Sequence, residues 1–172
     1  MLHYYEYDIE IRAKEGKPRE GLGIEVTTLA PGDEFELDDI QIKVDKGTHH
    51  GNVDDILSYR FEADGRVIVI ASDGGPTEKL VPLAKGADVL VMHPCLPDMI
   101  VELIGQTPEM AKIIAGHHAK TDEIGQVATD AEVGMVILSH LTPPRAPEEL
   151  VVEEVSRHFN GKIVLGRDLQ RF

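Results

Sequence analysis

The chain has 172 residues, which is enough for one domain with a hydrophobic core. Its formal net charge of −14 argues against a protein that binds phosphate backbones, because such proteins need clustered Lys and Arg to displace counterions. The single cysteine, Cys95, excludes a disulfide framework and fits a reducing compartment. Neither a leader pattern nor an apolar run of membrane-spanning length is present. We therefore expect a cytoplasmic protein with no nucleic-acid partner and no membrane partner.

The first part of the chain, up to residue 76, alternates apolar and polar residues with a period of two, which is typical of β-strands. Asp64-Gly65 stands between two such runs and predicts a tight hairpin turn, since Gly tolerates the positive φ that the turn requires. Asp38-Asp39 is expected to close another turn. The predicted strands are residues 7–12, 22–28, 34–37, 40–44, 57–62 and 66–71.

Beyond residue 76 the pattern changes to alternating helices and strands, which indicates an α/β architecture. The last helix is expected to open at Pro147, with Glu148 and Glu149 in its first turn, where carboxylates interact favourably with the helix dipole. No linker divides residues 1–172, so we expect a single domain. Further helices are predicted at residues 77–85, 97–115 with a break near 106–108, and 121–131, and further strands at 88–92, 135–138 and 162–165.

Polar residues stand at the carboxyl ends of predicted buried strands, the edge at which α/β folds hold their chemistry. Asp73 follows the buried run at 66–71, and His140 follows the run at 135–138. His117 and His118 precede a helix that Thr121 is expected to cap, and at most one of these adjacent histidines can face a site. Because zinc binds imidazole and carboxylate groups in proteins, the sequence suggests a metal site at this edge.

Each of these residues also has a purely structural interpretation. Asp73, in front of a Gly-Gly-Pro sequence, matches a turn residue that bonds its own backbone, and His140 matches a polar strand end. His93, which follows the strand predicted at 88–92, is interpreted as a packed or hydrogen-bonded core histidine. Cys95 is interpreted as a small buried residue rather than as a nucleophile.

Several motifs recur in the order and approximate spacing of one protein family. They are Thr-His-His-Gly at 48–51, Ser-Tyr-Arg-Phe at 58–61, Asp73, Lys-Gly-Ala-Asp-Val-Leu-Val at 85–91, the stretch 116–125, and Leu-Ser-His at 138–140. Together they resemble the C-terminal half of the metallo-β-lactamase superfamily, closest to its ribonuclease Z and arylsulfatase-like hydrolases. The resemblance implies an α/β chain of the four-layer αββα class, β-rich in its N-terminal part and then alternating between helix and strand.

The resemblance also implies roles for individual residues. Asp73 matches the aspartate that bridges two metal ions, usually zinc, and His140 matches a histidine ligand of the second ion. His118, seven residues before Gly125, matches the histidine that donates a proton or contacts the scissile group, and His50 matches a supporting residue outside the ligand set. The implied reaction is hydrolysis, and the acidic composition favours a small sulfate, phosphate or carboxylate ester over RNA as the substrate.

One departure from the family is that the sequence contains no His-x-His-x-Asp-His motif and no further histidine ligand after it. With only Asp73 and His140 of the ligand set, this chain is expected to bind zinc weakly or not at all by itself. We therefore expect an incomplete hydrolase whose partner is a complementary N-terminal half or a second copy of itself. The alternative is a non-catalytic, self-associating half-fold that keeps a vestigial metal site.

Overall fold

The computed structural model describes residues 2–18, 21, 26–48 and 56–172. Nine strands are described in these ranges, seven of them in one sheet and two in a small separate pair. They are β1 (Glu34–Leu37), β2 (Ile40–Lys46), β3 (Leu57–Ala63), β4 (Arg66–Ile70), β5 (Val89–Met92), β6 (Pro94–Cys95), β7 (Ala119–Lys120), β8 (Met135–Leu138) and β9 (Lys162–Leu165).

Helices precede, separate and follow these strands. They are α1 (Leu2–Lys14), α2 (Leu80–Ala84), α3 (Pro97–Met99), which continues into a π-helical turn (Ile100–Ile104), α4 (Pro108–Ala115), α5 (Thr121–Asp130) and α6 (Glu148–Ser156). Within the described ranges, each helix is too short or too polar to cross a lipid bilayer.

The seven-stranded sheet has the order β1-β2-β3-β4-β5-β8-β9 and changes character at β4. Strands β1 to β4 pair antiparallel, whereas β4, β5, β8 and β9 pair parallel. Both predicted turns are confirmed, because Asp38, Asp64 and Gly65 have φ angles of 52°, 50° and 71° at the β1–β2 and β3–β4 connections. The sheet with its alternating helices confirms the predicted α/β class.

Side chains of the parallel strands alternate between two faces of the sheet that differ in burial. Val69, Leu90 and Val136 lie on one face, are 0% exposed, and belong to the core that also contains residues of α5 and α6. On the other face Ile68 and Ile70 are each 41% exposed. Parallel sheets normally have both faces covered, so this second face is an apolar surface of unusual exposure.

Helices α5 and α6 approach each other closely behind the sheet. A Cβ atom on Gly125 would lie 2.5 Å from the Val155 carbonyl oxygen, so this contact requires glycine. The Thr121 hydroxyl donates a hydrogen bond to the Glu154 carboxylate. Thr121 is therefore not the cap that the sequence predicted. The helix begins at Thr121, and the Glu123 side chain accepts a hydrogen bond from the backbone N–H of Lys120, at 2.9 Å.

Two predicted strands in the N-terminal part are wrong where the structure describes them. Residues 7–12 belong to α1, in which Asp8 and Arg12 form an ion pair at 2.9 Å, one helical turn apart. The period-two pattern misleads here because these residues lie largely exposed, with no buried sheet face to select a strand. Residues 26–28 form no strand, and the remainder of that prediction, residues 22–25, lies outside the described ranges.

Candidate metal-binding site

The carboxyl ends of β4, β5 and β8 lie side by side and are followed by Asp73, His93 and His140. Backbone hydrogen bonds continue beyond the strand ends, because the N–H groups of Ala71 and Ser139 both donate to carbonyl groups of β5, at 3.0 and 2.9 Å. These bonds fix the first residues of the two loops. The parallel sheet therefore places the three side chains at one edge, as the sequence analysis expects for Asp73 and His140.

Asp73 is the centre of this edge. Its Oδ2 atom lies 3.2 Å from His140 Nε2, and its Oδ1 atom lies 3.7 Å from His118 Nε2. Among the described residues, Asp73 Oδ1 has no hydrogen-bond partner although the atom is buried. A buried carboxylate oxygen without a partner is costly in a folded protein, and a cation is the group that best compensates it.

The backbone of the preceding helix fixes the ring of His118. Its Nδ1 atom lies 2.8 Å from the carbonyl oxygen of Ile114, in the last turn of α4, and its side chain is only 13% exposed. A carbonyl can only accept, so Nδ1 carries the hydrogen, and Nε2 is the atom that faces Asp73. Of the two adjacent histidines considered in the sequence analysis, His118 is thus the one that the structure shows next to Asp73.

His140 lies on the more open side of the site, with its side chain 63% exposed. Its backbone has a φ of 50°, in the left-handed region that non-glycine residues seldom adopt. The loop that follows is held in place because the Thr142 N–H donates to Pro94 O at 2.9 Å and the Leu96 N–H donates to Thr142 O at 2.9 Å. The His140 backbone is therefore constrained on both sides.

His93 belongs to the same cluster, although the sequence favours a core histidine at this position. Its Nε2 atom lies 3.3 Å from the Ala71 carbonyl oxygen, which agrees with a hydrogen-bonded role. Its ring also packs edge-on against His140, with the ring centroids 5.9 Å apart and an interplanar angle of 81°. The signal that could have identified it is its position directly after β5, at the same sheet edge as Asp73.

Cys95 lies beside this edge but does not have the properties of a nucleophile. It is fully buried, and burial, with a further contribution from the negative charge of Asp73, raises the pKa of its thiol to about 11. Lys120 opposes the shift. With this raised pKa the thiol is neutral at physiological pH. Nucleophilic cysteines need a lowered pKa, so the geometry agrees with the interpretation of Cys95 as a small buried residue.

The donors at this edge match zinc in kind but not in number. A carboxylate oxygen and imidazole nitrogens are ordinary zinc ligands, and the unpartnered Asp73 Oδ1 is a natural position for one. Zinc takes about four ligands, yet no group of three or more His, Cys, Asp or Glu residues in the described ranges is arranged to hold a metal. His50, expected to support the site, lies outside the described residues.

Comparisons with known proteins find that the chain is similar to ribonuclease Z sequences, while no protein-family model matches it. Ribonuclease Z of Mycobacterium tuberculosis (strain H37Ra) is 34% identical over 150 residues, covering 86% of this chain and 54% of that protein. Ribonuclease Z of Mycolicibacterium gilvum is 30% identical over 174 residues, covering 99% of this chain and 59% of that protein. The chain thus spans little more than half the length of these relatives.

Solved structures share the fold at lower identity. The metallo-β-lactamase fold protein YhfI from Bacillus subtilis superposes with a TM-score of 0.64 at 19% identity, over 81% of this chain and 52% of that one. Zinc-bound PqqB from Methylobacterium extorquens superposes with a TM-score of 0.58 at 16% identity, over 81% of this chain and 53% of that one. These superpositions confirm a metallo-β-lactamase fold.

The relatives correct one expectation from the sequence, namely a small-molecule ester as substrate and no nucleic-acid partner. The matched proteins are ribonucleases, as their name states. The expectation is wrong because a net charge of −14 is a sum over the chain, whereas a nucleic acid meets the local charge around a site. Near this edge, Lys120 has a side chain 51% exposed, two residues after His118, and Arg145 is exposed in the loop after His140.

Proposed function

Because this chain has the metallo-β-lactamase fold and is homologous to ribonuclease Z, we propose that it forms part of a metal-dependent hydrolase that cleaves phosphodiester bonds in RNA. The observation that carries the proposal is the position of Asp73, which faces two imidazole Nε2 atoms from different loops, while one of its oxygens is buried with no hydrogen-bond partner among the described residues. A carboxylate that only stabilised a turn would be expected to bond its own backbone instead.

Asp73 and His140 are the proposed metal ligands, and zinc is the proposed metal. Asp73 Oδ2 and His140 Nε2 are 3.2 Å apart, and the two residues follow β4 and β8, the parallel strands on either side of β5. PqqB, which shares the fold, binds zinc. When bound, zinc would supply Lewis-acid chemistry by polarising an oxygen of the attacked phosphate.

His118 is the proposed proton donor. Its Nδ1–H donates to the Ile114 carbonyl, which leaves Nε2 as the atom that takes up and releases a proton. In its protonated form the ring would donate from Nε2 to the leaving oxygen as the phosphorus–oxygen bond breaks, and so avoid release of a free alkoxide. With its side chain only 13% exposed and its ring anchored, His118 would deliver this proton from a fixed position.

The choice of RNA rests on the relatives and is supported by the local distribution of charge. Lys112 is exposed on α4, Lys120 is exposed on β7, and Arg145 is exposed in the loop after His140. Exposed cations from separate elements around one edge suit a phosphate backbone, which proteins contact mainly through Lys and Arg. The acidic remainder of the chain would then disfavour binding of RNA elsewhere on the surface.

Further polypeptide is proposed to complete the site, since Asp73 and His140 supply two donors and zinc needs about four. The apolar sheet face that includes Ile68 and Ile70, each 41% exposed, offers a surface for such a segment to cover. The relatives, which are nearly twice as long as the part that aligns, contain polypeptide of the required length. One added segment would thus provide both the missing ligands and the cover of this face.

The metal role can be tested by calorimetric titration of Zn²⁺ into the chain and into Asp73→Ala, His140→Ala and His158→Ala variants. His158 is an exposed histidine beyond α6 and serves as the matched control. We expect weak binding by the parent chain and by the control, and loss of that binding in the two site variants. Equal affinity for all four proteins would contradict the assignment of Asp73 and His140.

The catalytic role can be tested with a fusion that joins this chain to the part of M. tuberculosis ribonuclease Z outside the aligned region. We expect this fusion to cleave a structured RNA in a chelator-sensitive reaction that Asp73→Ala abolishes. Cleavage that proceeds at the same rate in the Asp73→Ala fusion would show that the site is not the catalytic centre. Activity on an aryl sulfate but not on RNA would contradict the proposed substrate.

A further inference from the structure

We propose that Ser58 is a positioning residue for the metal site, because its buried hydroxyl fixes the backbone from which Asp73 projects. This inference rests on the proposed role of Asp73 as a metal ligand. It extends that role to a residue on β3, a strand that contributes no side chain to the cluster described above. Hydrogen bonds link Ser58 with Ser72 and Ser72 with Thr48.

Ser58 is a polar side chain that is buried in the fold. It is 3% exposed and is one of two buried polar residues in the described part of the chain, the other being Thr121. Its Oγ atom accepts a hydrogen bond from the Ser72 N–H at 3.0 Å. A hydroxyl in such a position costs stability unless it is hydrogen-bonded, so its specific partner is informative.

The hydrogen bond between the Ser72 N–H and Ser58 takes the place of a backbone hydrogen bond at the point where β3 and β4 stop pairing. Strands β3 and β4 pair as far as Tyr59 opposite Ile70, and the next residue, Ala71, directs its N–H to the other neighbour, β5. The Ser72 N–H thus faces β3 beyond the paired region. The Ser58 hydroxyl takes up this donor and holds the chain for one more residue before Asp73.

The Ser72 side chain fixes the same residue from a third direction. Its Oγ atom accepts a hydrogen bond from the Thr48 N–H at 3.1 Å and donates one to the Thr48 carbonyl at 3.2 Å. The neighbouring residue must be glycine, because a Cβ on Gly47 would lie 2.4 Å from Ser72 Oγ. Ser72 is therefore held by β3 and by the segment that follows β2, and the direction of the Asp73 side chain is set immediately after it.

The geometry of Asp73 depends on this support. Its two oxygens face His140 and His118 at 3.2 and 3.7 Å, and no hydrogen-bond partner within the described ranges holds Oδ1. Apart from the contact with His140, its carboxylate is thus oriented from the backbone. Residues that orient metal ligands in this way typically change metal affinity by roughly 10- to 100-fold when they are removed.

The test compares Co²⁺ binding, followed by the visible absorption of the bound ion, in the full chain and in Ser58→Ala, Ser58→Thr, Asp73→Ala and Ser156→Ala variants. Ser58→Thr keeps the hydroxyl on a side chain that suits a strand. Ser156→Ala removes an exposed serine hydroxyl at the end of α6 and controls for general loss of a hydroxyl. Amide hydrogen exchange at Ser72 and Asp73 is measured on the same proteins.

We expect Ser58→Ala to weaken Co²⁺ binding by roughly tenfold, to alter the absorption spectrum and to speed exchange at the Ser72 amide, with most of the affinity restored in Ser58→Thr. Unchanged Co²⁺ affinity in Ser58→Ala, with binding abolished by Asp73→Ala, would overturn the positioning role alone. If the parent chain binds no Co²⁺, or if Asp73→Ala binds Co²⁺ as the parent does, the proposed metal ligand is wrong and the positioning role falls with it. Equal weakening by Ser156→Ala would likewise overturn it.

Discussion

Two aspartates at opposite edges of the parallel sheet, Asp73 and Asp88, have similar exposure and very different environments. Their side chains are 34% and 38% exposed. Asp88, before β5, accepts hydrogen bonds from the Val67 N–H at 2.8 Å and from Arg66 at 3.0 Å. Asp73, beyond β4, has one buried oxygen without a hydrogen-bond partner among the described residues. The satisfied carboxylate stabilises the fold, and the unsatisfied one is the proposed metal ligand.

The same contrast is visible in the charge state of Asp88. The hydrogen bond from Val67, followed by that from Arg66, holds the pKa of Asp88 below its ordinary value. These partners stabilise the ionised carboxylate, so no metal ion is required to compensate its charge. At the other edge the groups that face the carboxylate are His118 and His140, which are themselves metal ligands or proton carriers in many enzymes. Residue type and exposure alone therefore do not distinguish a structural from a functional aspartate.

The largest effect should be the difference in Zn²⁺ affinity between two single variants, Asp73→Ala and Asp88→Ala. Asp73→Ala should lower affinity by at least about 100-fold, since it removes a ligand and not merely a supporting group. Asp88→Ala should leave affinity within a few-fold of the parent, because it lies at the opposite edge. Comparable losses in both variants would show that the two edges do not differ as described.

A smaller effect is expected when the proton carrier is changed and the metal ligands are kept. In the ribonuclease Z fusion, His118→Gln should lower the rate of RNA cleavage by about 100-fold, the low end for loss of a general acid. Zn²⁺ affinity should stay close to that of the parent fusion, because His118 holds a proton and not the metal. A parallel loss of affinity and rate would instead identify His118 as a ligand.

The smallest effect concerns stability in acid and tests the other aspartate. Since the pKa of Asp88 is lowered in the folded chain, its contribution to stability is present above the pKa of the unfolded state and is lost as pH falls through the lower folded value. The free energy of unfolding should therefore depend less steeply on acid pH in Asp88→Asn than in the parent chain. Asp168→Asn, at an exposed position near the C-terminus, should behave like the parent.

The sequence predicted the parallel half of the fold well because its strands are buried and its helices are amphipathic. The runs at 66–71 and 135–138 become β4 and β8 with little change of boundary, and Asp73 and His140 follow these strands as predicted. Residues 7–12 show the opposite case, since six alternating residues at an exposed position do not distinguish a strand from the helix that forms. Hydrophobic periodicity reflects which side chains are buried, so it does not distinguish strand from helix in a segment without buried residues.

The candidate site was only partly predictable for a different reason. Asp73, His118 and His140 follow from motif and strand position, but their distances depend on how the loops fold. Ser58 belongs to the motif at 58–61, but the sequence does not indicate its supporting role, because that role depends on the end of the β3–β4 pairing and on the Ser72 N–H beyond it. A supporting residue of this kind is defined by three-dimensional contacts between segments 14 residues apart, which periodicity does not encode.

The measurement that tests the central claim most directly is an NMR titration of the isotopically labelled chain with Zn²⁺. If Asp73 and His140 bind the metal, resonances of residues 72–74 and 139–141 should shift with a common midpoint, and those of the Asp88 edge, residues 66–67 and 88, should not. Shifts centred on the Asp88 edge, or no shifts at millimolar Zn²⁺, would contradict the assignment of the unsatisfied carboxylate as the metal ligand.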